Sequence, residues 1–238
     1  MTYNIHRCQG RDGRTDPGRI LEVIREVAPD VVALQDVNSD DDQNQLKYLA
    51  GQLGMASFGL GQSGGNGFLS YYPLKGVQEY ALDGGGYCLR ADLDIAGKRT
   101  HLYNLRFNPT LLYRRRQVRC LLGPDLLGNK SLGCPVLIVG DFADFFGILG
   151  DFLLPSSLRR APEPFWSATY PACFPVFSRD RGYLRDGLQI DQSWVHWGKP
   201  AREASTHLPM IYTVRIKDTR RYLPIEKLKG RWIEVVSG

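Results

Sequence analysis

Four short segments decide the fold of this chain: Thr2-Tyr3-Asn4-Ile5-His6, Leu34-Gln35-Asp36-Val37, Gly140-Asp141-Phe142-Ala143 and Ser205-Thr206-His207-Leu208-Pro209. The first segment has the pattern of a strand start. The second and third lie at the ends of the apolar runs 31–34 and 135–139, which polar residues bound. Short bounded runs of this kind are typical of buried strands. The segments therefore place polar and ionisable side chains beside core strands.

Helices and further strands are predicted in the rest of the chain. Asp16-Pro17 favours a helix start, because Asp caps free N–H groups and proline fits the first helical position. The apolar residues that follow repeat at helical spacing as far as Pro29-Asp30. Helices are also predicted at residues 45–53, with the run 39–42 as a solvated start, and at residues 112–122. Strands are predicted at residues 68–72, 88–95, 100–105, 182–184, 188–195 and 210–216.

The glycine-rich stretch 59–67 is interpreted as a hairpin connection. It lacks the strand, the Lys and the Ser/Thr that accompany a phosphate-binding loop. Strands in this number with few helices between them predict two stacked sheets flanked by helices.

The composition is that of one folded domain, which we expect to extend over residues 1–238. The chain has 43% hydrophobic and 23% charged residues, enough apolar content for a sizeable core. Its formal net charge of +5 permits a polyanionic partner without requiring one.

The cysteine content and hydropathy exclude several classes of protein. Five scattered cysteines, with no C-x-x-C pair, argue against a disulfide framework or a zinc site. No apolar run approaches the roughly 18 residues that a membrane span needs. The expected location is the cytoplasm.

The four opening segments resemble, in order and spacing, the active-site motifs of the endonuclease/exonuclease/phosphatase superfamily of Mg²⁺-dependent phosphoesterases. The usual family motifs are T-Y-N-I, L-Q-E-V, G-D-F-N and S-D-H-L-P. The start of the chain is also similar to a bacterial branch that opens T-Y-N-I-H-R-C-x-G-x-D-G-R and is described as metal-dependent hydrolases. The resemblance implies an α+β fold, a four-layer α/β sandwich with two stacked mixed β-sheets flanked by helices.

Further segments extend the resemblance over nearly the whole chain. They are similar to the family's G-N-x-x-L-S-x-x-P, x-N-T-H-L, R-R-x-Q-V, T-F-P-x-x-F-P and x-D-R-I-F-V motifs, and they lie at residues 66–73, 103–107, 114–118, 168–175 and 179–184. Arg114, Arg115 and Arg116 are interpreted as a solvated helix face rather than a nucleic-acid contact.

The resemblance implies a role for each matching residue. His207 matches the family's catalytic base, Asp141 the residue that positions the attacking water, and Asn4 a catalytic residue that also offers a carbonyl oxygen to the metal. Asp36 stands at the metal-binding Glu. Arg106 and Asn104 match the substrate-binding positions of x-N-T-H-L.

Two residues match the Asp that orients the base. Asp180 lies 27 positions before His207 (207 − 180) and Asp191 lies 16 before it (207 − 191). The longer gap leaves room for a strand and a loop, which favours Asp180. Asp191 stays open as the alternative.

Four positions depart from the family pattern in ways that bear on the chemistry. Asp36 is one methylene shorter than Glu, and an octahedral Mg²⁺ site tolerates such a change poorly. Arg106 replaces a His; it can bind phosphate but does not exchange a proton at neutral pH. Ala143 replaces an Asn and Thr206 an Asp, so two polar groups are lost. Removal of one preorganised polar group slows an enzyme by about 10² to 10³.

The sequence therefore leaves several functions open. The first is a hydrolase, a phosphodiesterase or phosphomonoesterase with Mg²⁺ or Mn²⁺ and with weakened or lost catalysis. The second is a pseudoenzyme that binds a phosphate-bearing ligand or a partner in the same pocket. The third, a nuclease, draws only on the basic charge. A phosphate-ester small molecule, a phospholipid and a nucleic acid all fit the family as ligands, and the sequence specifies no oligomeric state.

Overall fold

Two six-stranded sheets form the centre of the computed structural model, which describes residues 1–38, 44–59, 65–95, 97–129, 133–145 and 154–217. The strands are β1 (Thr2–Asn4), β2 (Val31–Val37), β3 (Ala56–Phe58), β4 (Gly65–Ser70), β5 (Leu74–Leu82), β6 (Gly86–Ile95), β7 (Lys98–Arg106), β8 (Val136–Asp141), β9 (Arg159–Arg160), β10 (Asp180–Arg185), β11 (Leu188–Val195) and β12 (Met210–Ile216). The helices are α1 (Pro17–Val27), α2 (Gln45–Leu53), α3 (Leu111–Leu121) and α4 (Lys199–Ala204).

Both sheets are mixed. The first has the order β11-β12-β1-β2-β4-β3, and the second β5-β6-β7-β8-β10-β9. The pairs β1–β2 and β7–β8 are parallel, and the other paired strands are antiparallel. Each parallel pair is central in its sheet, so its strands carry apolar residues on both faces.

Alternation along the strands divides the core into layers. In β2, Val32 and Leu34 pack with helices α1, α2 and α4, whereas Ala33 packs with residues of the second sheet. In β7, Tyr103 and Leu105 pack with helix α3. The layers are therefore helices, sheet, sheet and helix, which confirms the predicted four-layer α/β sandwich.

Helix α1 begins and ends as its sequence predicts. The Asp16 side chain accepts a hydrogen bond from the N–H of Gly18, with Pro17 in the first turn. Ala28 closes the helix in a left-handed conformation. The buried residues Ile20, Leu21, Val23 and Ile24 form the apolar stripe of the helix, so one face of α1 covers the first sheet.

Three strands are absent from the sequence prediction: β3, β5 and β9. Strand β5 lies at the edge of its sheet, has half-buried and exposed residues between its two buried ends, Leu74 and Leu82, and is interrupted by a bulge between Lys75 and Gln78. It therefore has no continuous apolar run. Strand β9 consists of two exposed arginines. The short β3 likewise lies at an edge.

The glycine-rich stretch 59–67 does join two antiparallel strands, β3 and β4, although β4 already begins at Gly65. Residues 60–64 lie outside the described residues, as does the predicted helix start at 39–42. The single domain over residues 1–238 stays a prediction, because residues 218–238 are not described either. Among the described helices, none has the length and apolar character to cross a membrane.

A cavity of about 420 Å³ lies between the sheets. Its lining is mainly apolar and includes Met1, Phe68, Leu102 and Trp194. None of the predicted site residues lines this cavity, so the candidate functional site is elsewhere.

Candidate functional site

Strand register brings the predicted residues of the second sheet side by side. Asp141, the last residue of β8, pairs with Arg106 at the end of β7 and with Asp180 at the start of β10. In the first sheet, Asn4 pairs with Gln35. The Asn4 Nδ2 group donates a hydrogen bond to Asp141 Oδ2 at 3.0 Å. The two sheets therefore meet at one edge through the side chains of Asn4 and Asp141.

His207 reaches the same point from the loop between α4 and β12. Ser205 fixes that loop: its Oγ donates to the backbone carbonyl of Asn4 at 2.7 Å and accepts from the His207 N–H at 3.3 Å. The His207 Nδ1 atom lies 2.7 Å from Asp180 Oδ2, and Nε2 lies 3.9 Å from Asp141 Oδ2. Both carboxylates and the imidazole are buried.

The structure places Asp180, and not Asp191, against His207. Asp191 lies on β11, where it accepts a hydrogen bond from Arg215 Nε at 2.9 Å. Asp180 is fully buried and follows Arg179 directly. A hydrogen bond from Nδ1 to a buried carboxylate selects the tautomer in which Nε2 carries the free lone pair.

Asp141 is the most heavily bonded carboxylate of the site. Its Oδ1 accepts from the Ala143 N–H at 2.8 Å and from Arg179 Nε at 3.2 Å. Its Oδ2 accepts from Asn4 Nδ2 and from Arg179 Nη2, the latter at 2.8 Å. A carboxylate has about four acceptor positions, so these four donors occupy the group fully.

These contacts determine the charge state of Asp141. Burial raises the pKa of its carboxyl group, but His207, the Arg179 guanidinium, the Ala143 N–H and the Asn4 amide outweigh burial and hold the pKa below its usual value. Asp141 is therefore a stable anion and a weak proton acceptor.

An aromatic layer supports Arg179 and His207. The Arg179 guanidinium lies 4.7 Å from the ring centre of Tyr170 and 5.2 Å from that of Phe145. The Tyr170 ring also lies 4.9 Å from the His207 ring, between centroids. Such contacts between a guanidinium and aromatic faces are favourable when water is partly excluded.

Asp36 lies in a different electrostatic setting. It sits in a bulge of β2 at a φ of 56°, which is unusual for a residue other than glycine. Its Oδ1 atom lies 3.7 Å from Arg7 Nε and 3.7 Å from Arg106 Nη2. The carboxylate predicted to bind a metal is thus flanked by two guanidinium groups.

The cluster with metal-ligand geometry has a different composition from the predicted metal site. Within the described part of the chain, Asp141, Asp180 and His207 bring ligand atoms within 4.8 Å of one another. Asp36 is not a member of that group.

Asn104 is enclosed between the sheets. Its Nδ2 group donates to the carbonyls of Leu34 at 2.9 Å and Gly67 at 3.0 Å, and its Oδ1 accepts from Gln35 Nε2 at 2.7 Å. The residue has no exposed surface. This geometry favours a structural role over the predicted contact with substrate, because the Asn104 side chain is inaccessible from outside the sheets.

One sequence interpretation needs correction. Arg115 and Arg116 are exposed on helix α3, as predicted, but Arg114 is buried. Its Nη1 group donates to the Ala143 carbonyl and lies 3.6 Å from Asp144 Oδ1. Arg114 faces inward because it shares a helix face with Gln117, Val118 and Leu121, which are also buried. It thereby supports the loop that carries Ala143, whose φ is 50°.

Sequence reasoning assigned no role to Arg7, Tyr170 or Arg179. Arg179 and Tyr170 lie within segments compared with family motifs, yet their contacts with Asp141 and His207 depend on the three-dimensional placement of the 154–179 region. The available signal was weak: an Arg adjacent to a buried Asp in a strand that pairs with another Asp.

Comparison with known proteins gives a family and a set of similar folds. A model of the Endonuclease/Exonuclease/phosphatase family matches residues 1–181. No curated protein sequence matches the chain.

Several solved structures share the fold. An endonuclease/exonuclease/phosphatase from Beutenbergia cavernae DSM 12333 has 19% identity and a TM-score of 0.71, over 90% of this chain and 70% of that one. A mannosyl-6-phosphatase from Bacteroides thetaiotaomicron has 14% identity and a TM-score of 0.75, over 90% and 98% of the two chains. D. rerio TDP2, humanised by 14 mutations, has 16% identity and a TM-score of 0.74, over 90% and 97%. At these identities the likeness concerns the fold alone.

Proposed function

Because this chain belongs to the endonuclease/exonuclease/phosphatase family, we propose that it binds a phosphate ester and that its hydrolytic activity is weak or lost. The ligand is held where the two sheets meet, beside Asn4, Asp141, Asp180 and His207. The observation that carries the loss of activity is the complete occupation of the Asp141 carboxylate by four donors.

The roles of the site residues follow from their contacts. Hydrolysis needs a water oxygen aligned on phosphorus and a group that takes the proton from that water. His207 can accept that proton at Nε2, because its Nδ1 atom is hydrogen-bonded to Asp180. Asp141 has no free acceptor position with which to align the water, and its lowered pKa makes it a weak base. The site therefore keeps a proton acceptor, His207, but lacks a free carboxylate to align the water.

Enzymes of this family generally depend on a divalent metal. The ion predicted from the sequence is Mg²⁺ or Mn²⁺, held by Asp36 with Asn4, and oxygen donors suit such ions. The contacts of these residues do not fit that ion: Asp36 faces two guanidinium groups, and Asn4 Oδ1 accepts the His6 N–H at 3.1 Å.

The proposed ligand class is a phosphate ester, whether of a small molecule, a phospholipid or a nucleic acid. Two proteins with a similar fold support this class, because the names of their structures refer to phosphate esters. One is named a mannosyl-6-phosphatase, and D. rerio TDP2 was solved with a single-strand DNA product.

Turnover of a generic phosphodiester, bis(p-nitrophenyl) phosphate, tests the proposal. The assay is run with Mg²⁺, with Mn²⁺ and with EDTA. We expect turnover far below the roughly 1 to 10³ per second of typical enzymes. Any residual rate is lost in His207→Ala and retained in Asp191→Asn, because Asp191 contacts Arg215 and not His207.

Restoration of the four altered positions completes the test. The variant Asp36→Glu, Arg106→His, Ala143→Asn and Thr206→Asp should raise the rate, provided that circular dichroism shows it to be folded. Ordinary enzymatic turnover by the native chain, abolished in Asp141→Ala, is the result that contradicts weak or lost catalysis.

A further inference from the structure

The charges of the site balance without an added cation. Its carboxylates are Asp36, Asp141 and Asp180, and its guanidinium groups are Arg7, Arg106 and Arg179. Arg7 and Arg106 both lie beside Asp36, Arg179 pairs with Asp141, and Asp180 contacts His207. A carboxylate-rich centre binds Mg²⁺ because the ion neutralises charge that the protein does not. In this chain three arginines already supply that positive charge.

Within the described ranges of the chain, no residue accepts a hydrogen bond from the side chain of Arg106 or Arg7. Both lie 3.7 Å from Asp36 Oδ1, which is an ion-pair distance but too long for a hydrogen bond. The two side chains are 31% and 63% exposed. Guanidinium groups with free N–H donors match the oxygens of a phosphate group in charge and shape.

A divalent cation at Asp36 would lie among these same groups. Mg²⁺ requires about six oxygen ligands at roughly 2.0–2.1 Å. An ion that close to Asp36 Oδ1 would be a few ångströms from both guanidinium groups, and like charges repel strongly at such a distance. Asn4 Oδ1, the second predicted ligand, is engaged by the His6 N–H.

We infer that this site binds the phosphate group of its ligand through Arg106 and Arg7, without a divalent cation. Asp36 is the internal anion that the phosphate replaces at these two guanidinium groups. This inference rests on the proposed function, since it concerns the same site, and it names the groups that recognise the ligand.

Calorimetric titration with inorganic phosphate, and with phenyl phosphate as an ester, tests the inference. Each titration is made in EDTA and again with Mg²⁺ or Mn²⁺. We expect binding in EDTA with an affinity that the metals leave unchanged. Arg106→Gln should weaken binding by at least about tenfold, because a charge-assisted hydrogen bond is lost. Arg115→Gln, an exposed arginine of helix α3, is the matched control and should bind as the native chain does.

Asp36→Asn separates the two kinds of site. If guanidinium groups bind the phosphate, removal of the competing carboxylate strengthens binding, by about fivefold for a partly exposed charge pair. If a metal binds it, the same variant abolishes binding. Circular dichroism of each variant establishes that it is folded.

The outcomes also separate this inference from the proposed function. Binding of either phosphate compound only in the presence of Mg²⁺ or Mn²⁺, lost in Asp36→Asn, overturns the inference and leaves the proposed function standing. Absence of binding under every condition overturns both.

Discussion

Arg179 contacts both carboxylate oxygens of Asp141, with Nη2 at 2.8 Å from Oδ2 and Nε at 3.2 Å from Oδ1. The Arg179 side chain is 13% exposed and that of Asp141 is 2% exposed. A planar guanidinium in this geometry forms two parallel hydrogen bonds. The pair therefore neutralises a buried carboxylate at the residue where the family pattern predicts water positioning.

Arg179→Gln should destabilise the protein. The substitution leaves Asp141 buried without its cation, and removal of one partner of a buried pair costs roughly 3 kcal/mol or more. The free energy of unfolding in urea measures this loss. Arg116→Gln is the control, because Arg116 is exposed and pairs with the exposed Asp83 at 3.3 Å; its effect should stay within about 0.5 kcal/mol.

A double-mutant cycle shows whether the Arg179 effect comes from the pair. Asp141→Asn in the Arg179→Gln background should recover part of the lost stability, since no buried charge then lacks a partner. If Arg179→Gln destabilises the native chain and the Asp141→Asn variant equally, the pairing is contradicted.

Acid should remove the stability that Asp141 contributes. Its pKa in the folded protein lies below the usual value of 3.8, so the unfolded chain binds the proton more readily. The contribution is therefore complete well above pH 3.8 and is lost as the pH falls through the lower folded pKa. In urea unfolding at several pH values, the native chain should exceed Asp141→Asn in stability near neutrality. The difference should shrink below about pH 4. A difference that is independent of pH contradicts the prediction.

Much of the fold could be predicted because its central strands carry their own signal. The runs 31–34 and 135–139 are apolar on both faces, since a helix layer covers one side and the other sheet covers the second. Strand β5 is an edge strand with a bulge and alternating exposure, so a run-based criterion misses it. Edge strands depend on pairing with a neighbour, which local composition does not encode.

The residues of the candidate site likewise include some that the sequence predicts and some that it does not. Asn4, Asp141, Asp180 and His207 are site residues that the family resemblance implies, and the structure brings these four together; their catalytic roles stay predictions. Arg7 and Arg179, which lie beside Asp36 and Asp141, have no predicted role, because the partner of an arginine depends on how distant loops pack. Arg114 is different: the spacing of 114, 117, 118 and 121 is that of one helix face and was a usable signal of burial.

Asn104→Ala should cost stability rather than ligand affinity. The substitution removes both hydrogen bonds that Asn104 Nδ2 donates, to the carbonyls of Leu34 and Gly67, and one of the three acceptors of the Gln35 amide. Each buried unsatisfied group costs about 1–3 kcal/mol, so we expect a loss of roughly 3 kcal/mol or more in urea unfolding. Asn44→Ala, which removes the cap of helix α2, should cost only about 1 kcal/mol. Unchanged stability with weakened phosphate binding would instead support the substrate role predicted from the sequence.

Arg114→Ala and Arg115→Ala should differ although the residues are adjacent. Arg114 is buried, donates to the Ala143 carbonyl and lies beside Asp144, whereas Arg115 is exposed. Loss of a hydrogen bond from a charged donor costs about 2 kcal/mol, and a surface substitution changes stability by at most about 0.5 kcal/mol. Asp144 keeps a second partner, Arg181 Nη1 at 2.8 Å, so the Arg114 variant should still fold. Thermal and urea unfolding of both variants measure the difference. Equal stabilities would mean that Arg114 is solvated in solution, as the sequence predicts.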